Sequence, residues 1–499
     1  MIPKTLLRTI AVFLWLLASS FGALDDGAAR AEADRILAAS GVKGGLVVHL
    51  GAGEAKLTAA LRKNASYQVQ GLDRDPAKVA AARERLLEAK VCGDVAVQTW
   101  TGKELPYIDN LVNLLVADDL GGVSMDEVKR VLVPNGVALV KQGGEWKKTV
   151  KTKSDALDEW THYYYNAKGN AVSKDTQVGP PERMQWVGNP RWSRHHDRMS
   201  SVSAEVTSGG RLYYIMDEGS RISILLPSHW SLIARDAFNG MILWKKPIEN
   251  WSEHMWPLKS GPTQLTRRLV ADGDRIFVTM GLGEPITCLD GATGNVISTF
   301  AETKGAEEIL HVGGVLYALV NPADWALKDF APKLQQDQKR IADEYEWDKK
   351  ARTLVAVDAN SGKLLWKKEQ TKIAPITLST DGQRVVFYDG DKLVCLDAKT
   401  GAERWASVPE PKRNLLEYNF GPRVLITGST VLYAGGDGSE KGLDAETGKE
   451  LWKAPHEKSG YRSPEDLIVA GGLVWNAPTS SGNMSGEFVG RDVRTGEAK

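Results

Sequence analysis

Through the second half of the chain, short apolar runs alternate with one polar turn. Leu354-Val355-Ala356-Val357, Leu393-Val394-Cys395-Leu396 and Ile286-Thr287-Cys288-Leu289 each read as a strand, and each ends on an Asp. Asp-Ala-Asn-Ser-Gly, Asp-Ala-Lys-Thr-Gly or Asp-Ala-Glu-Thr-Gly follows, then a second apolar run closed by Trp. Asp hydrogen-bonds its own backbone two residues on, and Gly accepts positive φ, so each unit predicts two strands joined by a tight turn. The pattern is Asp-x-x-x-Gly-x-x-x-Trp. It occurs at Asp236–Trp244, Asp358–Trp366, Asp397–Trp405 and Asp444–Trp452. Weaker copies start at Asp290, with Ser298 at the aromatic position, and at Asp492, which runs to the last residue.

Successive Asp positions lie 54, 68, 39, 47 and 48 residues apart, close to the length of a four-stranded propeller blade. Each Trp is expected to wedge against the neighbouring sheet. The longest interval carries a helical insertion at about 321–352, with Leu334, Ile341 and Tyr345 on one face. Met184-Gln185-Trp186 resembles an outer strand without its turn. It either closes a six-bladed ring or leaves an incomplete eight-bladed one, and the missing Trp after Asp492 favours the second.

Residues 30–150 have another texture. Strands at Gly45–Leu50, Tyr67–Leu72, Leu111–Val116 and Val137–Val140 alternate with helices at about Ala55–Leu61, after Pro76, and at Met125–Leu132. Such alternation predicts a parallel α/β sheet. Val79, Ala82 and Leu86 form the buried face of the second helix. Residues 151–183 are read as a linker and propeller entrance, and 184–499 as the propeller.

Two resemblances follow. The turns from about Asp158 to Lys499 resemble the quinoprotein-like propeller family. That family contains dehydrogenases carrying pyrroloquinoline quinone and the non-enzymatic outer-membrane assembly factor BamB. His49-Leu-Gly-Ala-Gly-Glu54, Gly71-Leu-Asp73, Glu104-Leu-Pro-Tyr107 and Val131–Gly136 resemble the core of class I S-adenosylmethionine-dependent methyltransferases. The second resemblance implies a Rossmann-like core with Gly51, Gly53 and Asp73 as cofactor contacts. The chain departs from that family at Trp100-Thr101, where an acidic residue is often found, and at Asn113, where Asp is usual. The usual last two strands and a substrate-binding insertion are not evident.

Lys plus Arg equals Asp plus Glu, at 63 each, so no bulk charge draws the chain to nucleic acid. Lys4 and Arg8, the apolar run Ile10–Leu17 and small residues to Ala23 have the order of a signal peptide over 1–23. Export to the periplasm or envelope, without a membrane span after cleavage, is therefore expected. S-adenosylmethionine is made in the cytoplasm, so the first domain is expected to be inactive. The three cysteines, Cys92, Cys288 and Cys395, form no disulfide framework and read as small buried hydrophobes.

Quinone catalysis would need a Ca²⁺ held by oxygen ligands, a catalytic Asp and often adjacent cysteines, by family resemblance. No adjacent cysteines and no Cys-x-x-Cys-His heme signature occur, which argues against pyrroloquinoline quinone. A separate polar stretch runs from Asp158-Glu-Trp-Thr-His162-Tyr-Tyr-Tyr165 through His195, His196 and Asp197 to Glu218 and His254. Those last five are weak candidates for acid–base work, and aromatic plates beside them suit sugars. No metal site is assigned, because adjacent residues of a strand point to opposite faces. The expectation is an exported binding or scaffold protein with a protein or glycan partner in the envelope. The alternatives are an S-adenosylmethionine-dependent methyltransferase and a carbohydrate-active or redox enzyme at the propeller entrance.

Overall fold

A computed structural model describes residues 27–182, 184–194, 201–249, 251, 262–325, 333–412, 421–457, 464–476 and 488–499. The chain divides into two compact units. The first is Met1–Leu157, Val178–Gly188 and Arg235–Trp244; the second is Asp158–Gln177, Asn189–Ala234 and Lys245–Lys499.

In the first unit, α1 (Gly27–Ser40) leads to β1 (Gly45–Leu50), α2 (Lys56–Ala60), β2 (Tyr67–Asp73), α3 (Pro76–Glu88) and β3 (Val95–Thr99). Then follow β4 (Val112–Ala117), α4 (Met125–Val131), β5 (Leu132–Gln142) and β6 (Glu145–Val150). The sheet order is β3-β2-β1-β4-β5-β6. All neighbours are parallel except β5 and β6. Alternation along each strand feeds two cores. Val47, Val69, Leu114 and Val116 share one with Ala33 and Ile36 of α1 and Val79, Ala82 and Leu86 of α3. Val48, Leu72, Leu115 and Ala117 share the other with Val128 and Val131 of α4. Asp75 caps α3 by accepting from the Ala77 N–H at 2.9 Å, one residue before Pro76 fixes the first helical φ.

The sequence pattern places no strand in the Lys-rich stretch after Val140. The structure shows β5 running on to Gln142, a turn at Gly143-Gly144 with positive φ, and β6 returning along it. β6 is an edge strand, and its lysines are of the kind that protect an open edge.

Among the described residues, the repeat region forms six antiparallel sheets. They are β7–β10 (Val202–Ser208, Arg211–Asp217, Trp230–Asp236, Ile242–Pro247) and β11–β14 (Leu269–Asp272, Arg275–Thr279, Ile286–Asp290, Val296–Phe300). Next come β15–β18 (Ala306–Val312, Val315–Val320, Arg352–Asp358, Leu364–Thr371) and β19–β22 (Ser379–Thr380, Arg384–Tyr388, Leu393–Asp397, Glu403–Ala406). The last are β23–β26 (Arg423–Thr427, Thr430–Ala434, Ser439–Asp444, Glu450–Pro455) and the three-stranded β27–β29 (Ile468–Ala470, Leu473–Asn476, Val489–Asp492). Each repeat Asp ends the third strand of its sheet. The expected propeller is therefore present, with one sheet per repeat.

The repeat tryptophans join sheet to sheet. The Trp366 indole N–H donates to the Ala398 carbonyl at 2.9 Å, Trp405 to Ala445 at 3.0 Å, and Trp452 to Val493 at 3.0 Å. Each acceptor follows the Asp of the next turn. Each ring covers the Gly four residues after that Asp: a Cβ on Gly401 would lie 2.6 Å from the Trp366 ring, and one on Gly496 2.6 Å from Trp452. Gly is required there by contact as well as by positive φ. Where Ser298 replaces Trp, Phe300 lies on the same face two residues later and is buried, 3.8 Å from a Cβ position on Gly362.

Three expectations are corrected. Residues 184–186 form no strand, yet Trp186 docks as a blade tryptophan does within the first unit. It donates to the Ala237 carbonyl at 3.0 Å with its ring over Gly240. In the insertion, α5 (Gln338–Glu344) buries Ile341 and Tyr345, but Leu334 precedes it and is exposed. Cys92 is exposed beyond the end of α3, whereas Cys288 and Cys395 are buried at matching strand positions.

Candidate functional site

The Gly-x-Gly turn between β1 and α2 has the conformation that close approach of a cofactor needs. Gly51 (φ 81°) and Gly53 (φ 53°) are left-handed. Open space lies where a Gly51 Cβ would sit. Asp73, at the end of β2, accepts from the Gly53 N–H at 2.8 Å and from the Asp75 N–H at 3.0 Å. Despite partial burial, these backbone donors and Lys78 hold its carboxyl below the usual range, so it is ionised. The three residues meet outside the carboxyl end of β1, where the strand order reverses, the usual ligand position in such a sheet. These residues fit S-adenosylmethionine: the glycines would admit it to the backbone and Asp73 would accept its ribose hydroxyls. A bound cofactor would supply an electrophilic methyl group.

Two neighbours restrict this site. Arg74, from the end of β2, donates to the Gly121 carbonyl beyond β4 and also lies over the Trp100 ring beyond β3. Its side chain is thus a bar across the crevice, although an exposed one. His49 is buried, with Nδ1 2.8 Å from Thr58 Oγ1, and burial pushes its pKa down to about 4. It is a buried, neutral packing group.

Asn113 has a structural role. It lies near the start of β4, away from the crevice, and its Oδ1 accepts from the Leu46 N–H at 2.8 Å. That bond orients the amide, so Nδ2 is the group that donates to Asp236 at 2.6 Å within the same unit. A carboxylate at 113 would instead face a carboxylate.

In the second unit, His195, His196, Asp197 and His254 lie outside the described residues. Glu218 pairs with Lys245 at 2.5 Å. Its neighbour Asp217 is fully buried, paired with Arg194 at 2.6 Å, and accepts from the Gly219 and His229 N–H groups. Both carboxylates have structural partners.

The stretch Asp158–Tyr165 has a role that its composition did not reveal. The Trp160 carbonyl accepts from Thr207 of β7 at 2.7 Å, and the Thr161 carbonyl from Ala271 of β11 at 3.0 Å. His162 Nε2 accepts from His311 of β15 at 3.0 Å. Ala167 then takes Thr380 of β19 at 2.8 Å, and Lys168 takes Ile426 of β23 at 3.0 Å. The Asn170 side chain exchanges two bonds with Val469 of β27, at 2.9 and 3.0 Å. One short segment thus bonds the first strand of each of the six sheets in order, in every case at or next to the strand's last residue.

The first strand of each sheet therefore lines a common axis, and residues 160–170 occupy that axis. Tyr165, with φ 60°, folds the segment back so that its carbonyl accepts from the Thr161 N–H at 2.9 Å. Arg423 stacks 3.7 Å over the Tyr164 ring and donates to the Gly169 carbonyl at 2.7 Å. Arg267, 5.5 Å from the Tyr164 ring centroid, pairs with the fully buried Glu308 at 3.2 Å. A propeller's central channel is where a large cofactor meets every blade; here the chain itself holds those positions. No group of three or more His, Cys, Asp or Glu side chains able to hold a metal is found among the described residues.

Two family models match separate parts of the chain. Residues 350–499 match the model of outer membrane protein assembly factor BamB, and residues 48–140 match that of a methyltransferase domain. The quinohemoprotein alcohol dehydrogenase ADH IIB of Pseudomonas putida is 34% identical over 173 residues, which is 28% of this chain and 25% of that enzyme. The chain therefore spans about a quarter of that relative's length. BamB from Moraxella catarrhalis aligns over 58% of this chain and 66% of its own at 14% identity, with a TM-score of 0.31. Geranyl diphosphate C-methyltransferase from Streptomyces coelicolor A3(2) aligns over 22% and 44% at 16% identity, with a TM-score of 0.21. The two regions are similar, respectively, to BamB-like and methyltransferase domains. No helix among the described residues is long and apolar enough to cross a membrane.

Proposed function

We propose that this protein is an exported binding or scaffold protein of the periplasm or cell envelope, in which the propeller works without a quinone and the methyltransferase-like domain is inactive. The observation that carries this reading is the axial segment Trp160–Asn170, bonded to the first strand of each of the six described sheets where a propeller cofactor would need space. The BamB-like match over 350–499 and the signal-like order of residues 1–23 support an envelope location. Arg74 across the first unit's crevice supports inactivity. The test is titration of the purified protein with pyrroloquinoline quinone and Ca²⁺, followed by equilibrium dialysis and dye-linked alcohol oxidation. No retained quinone and no oxidation are expected; stoichiometric retention with turnover overturns the reading.

A second reading, an S-adenosylmethionine-dependent methyltransferase, is favoured by the left-handed Gly51 and Gly53 beside an ionised Asp73. Calorimetric titration with S-adenosylmethionine separates the two. Micromolar binding that is lost in Asp73→Ala supports the enzyme. Absence of binding in both the native protein and Arg74→Ala, which removes the bar, supports an inactive domain.

A further inference from the structure

Beside the axial segment, the second unit carries an open trough of about 610 Å³, lined by Trp160, Tyr163, Ser203, Glu205, Thr207 and Thr266 together with the backbone of β7. Its size is that of a small-molecule site, for which about 300–1,000 Å³ is usual.

The two aromatic rings are held from below and half-exposed above. Trp160 is fixed at three atoms. Its N–H donates to Thr207 Oγ1 at 2.7 Å, its carbonyl accepts from the Thr207 N–H at 2.7 Å, and its indole N–H donates to the Tyr163 carbonyl at 3.1 Å. The Trp160 ring meets Tyr165 edge-on at 5.6 Å, and the Tyr163 ring packs on Tyr164 at 4.5 Å. Flat apolar plates fixed before binding lose little entropy when a ligand stacks on them.

The polar lining matches a hydroxyl-rich ligand. Thr207 Oγ1 accepts from Trp160, and Ser203 Oγ accepts from the Trp251 indole at 3.1 Å, so both hydroxyl protons are free to donate. The Thr266 hydroxyl donates to the Thr263 carbonyl at 2.8 Å and keeps its lone pairs for a donor. Glu205 reaches solvent and offers a pure acceptor. Among the described residues of the lining it is the one carboxylate, and no Lys or Arg accompanies it. An acidic ligand is therefore disfavoured, and a compact ammonium group would leave both hydroxyl donors unused.

We propose that this trough binds a neutral oligosaccharide, stacked on Trp160 and Tyr163 with Glu205 accepting from sugar hydroxyls. The proposal rests on the binding reading of the propeller and names its ligand class. Desolvation by the trough walls raises the Glu205 carboxyl above its ordinary range.

The test is calorimetry and saturation-transfer NMR of the full chain with cellotriose, maltotriose and chitotriose, and with choline as the cationic probe. At least one trisaccharide is expected to bind with a Kd of about 1 mM or tighter. Glu205→Gln and Trp160→Phe are each expected to weaken it about fivefold or more while the melting temperature holds. Trp160→Phe keeps the backbone bonds of the axial segment, so loss of binding there is not loss of fold. Three results overturn the proposal: no trisaccharide signal at about 10 mM, binding indifferent to both substitutions, or choline binding in place of sugar. None of them alters the quinone titration, so the two readings fail separately.

Discussion

The backbone N–H of His311 donates to Nε2 of His162 at 3.0 Å, where two neighbouring contacts of the same kind use a carbonyl. The imidazole must therefore be neutral with its proton on Nδ1, which faces Thr161 Oγ1 at 2.8 Å. Burial pushes the His162 pKa down to about 3. The unfolded chain takes up that proton near pH 6.5 and the folded chain does not, so stability is full above that pH and falls as pH drops towards 3. The same sign holds for His49, lowered to about 4. Denaturant titrations from pH 7 to pH 5 are expected to show a loss on the order of 2 kcal/mol for each group. His162→Gln, which retains an acceptor without a titrating group, is expected to remove its share of the slope.

The docked tryptophans predict a contrast between two glycines of similar backbone angle. Gly401 (φ 71°) lies under the Trp366 ring, whereas Gly428 (φ 55°) has open space around its Cβ position. Gly428→Ala is expected to cost about 1 kcal/mol, from the left-handed backbone alone. Gly401→Ala adds a steric clash of about 1–3 kcal/mol. Thermal unfolding of both variants measures the difference, and equal losses would mean that the indole does not pack there.

The buried pair of Arg267 and Glu308 also holds the backbone: Glu308 Oε1 accepts from the Ile376 N–H at 2.6 Å, and Ile376 has φ 60°. A β-branched residue in the left-handed region needs such an anchor. Arg267→Met leaves a buried carboxylate unpaired and is expected to cost about 3–5 kcal/mol by chemical denaturation. Arg267→Met with Glu308→Gln is expected to recover part of that loss.

Much of this architecture is legible in the sequence because it rests on local chemistry. The Asp-to-Gly turns, the Trp positions and the α3 face at Val79, Ala82 and Leu86 all follow from short-range spacing. Helix α1 is missed because its Ala-rich run has neither acidic first turn nor basic last turn, and its stability comes from packing Ala33, Ile36 and Leu37. Strand β6 is missed because an edge strand rich in lysine lacks the apolar alternation of its neighbours. The axial segment is illegible for another reason. It has no regular period, and its partners lie from 47 residues away, for Thr207, to 299 away, for Val469. Three successive tyrosines after His162, outside any repeat, were the available signal. The trough shares that fate, since Trp160 and Glu205 meet only through the segment's path.

The axial threading is tested most directly by hydrogen–deuterium exchange at six amides: Thr207, Ala271, His311, Thr380, Ile426 and Val469. Each belongs to the edge strand that faces the axis, where only residues 160–170 satisfy it. Slow exchange at all six is expected, with Ile426 and Val469 accelerating together when Gly169, whose Cβ would lie 2.7 Å from the Val424 carbonyl, is changed to Ala. Rapid exchange at these amides in the native protein would contradict the account, because the axis would then be open.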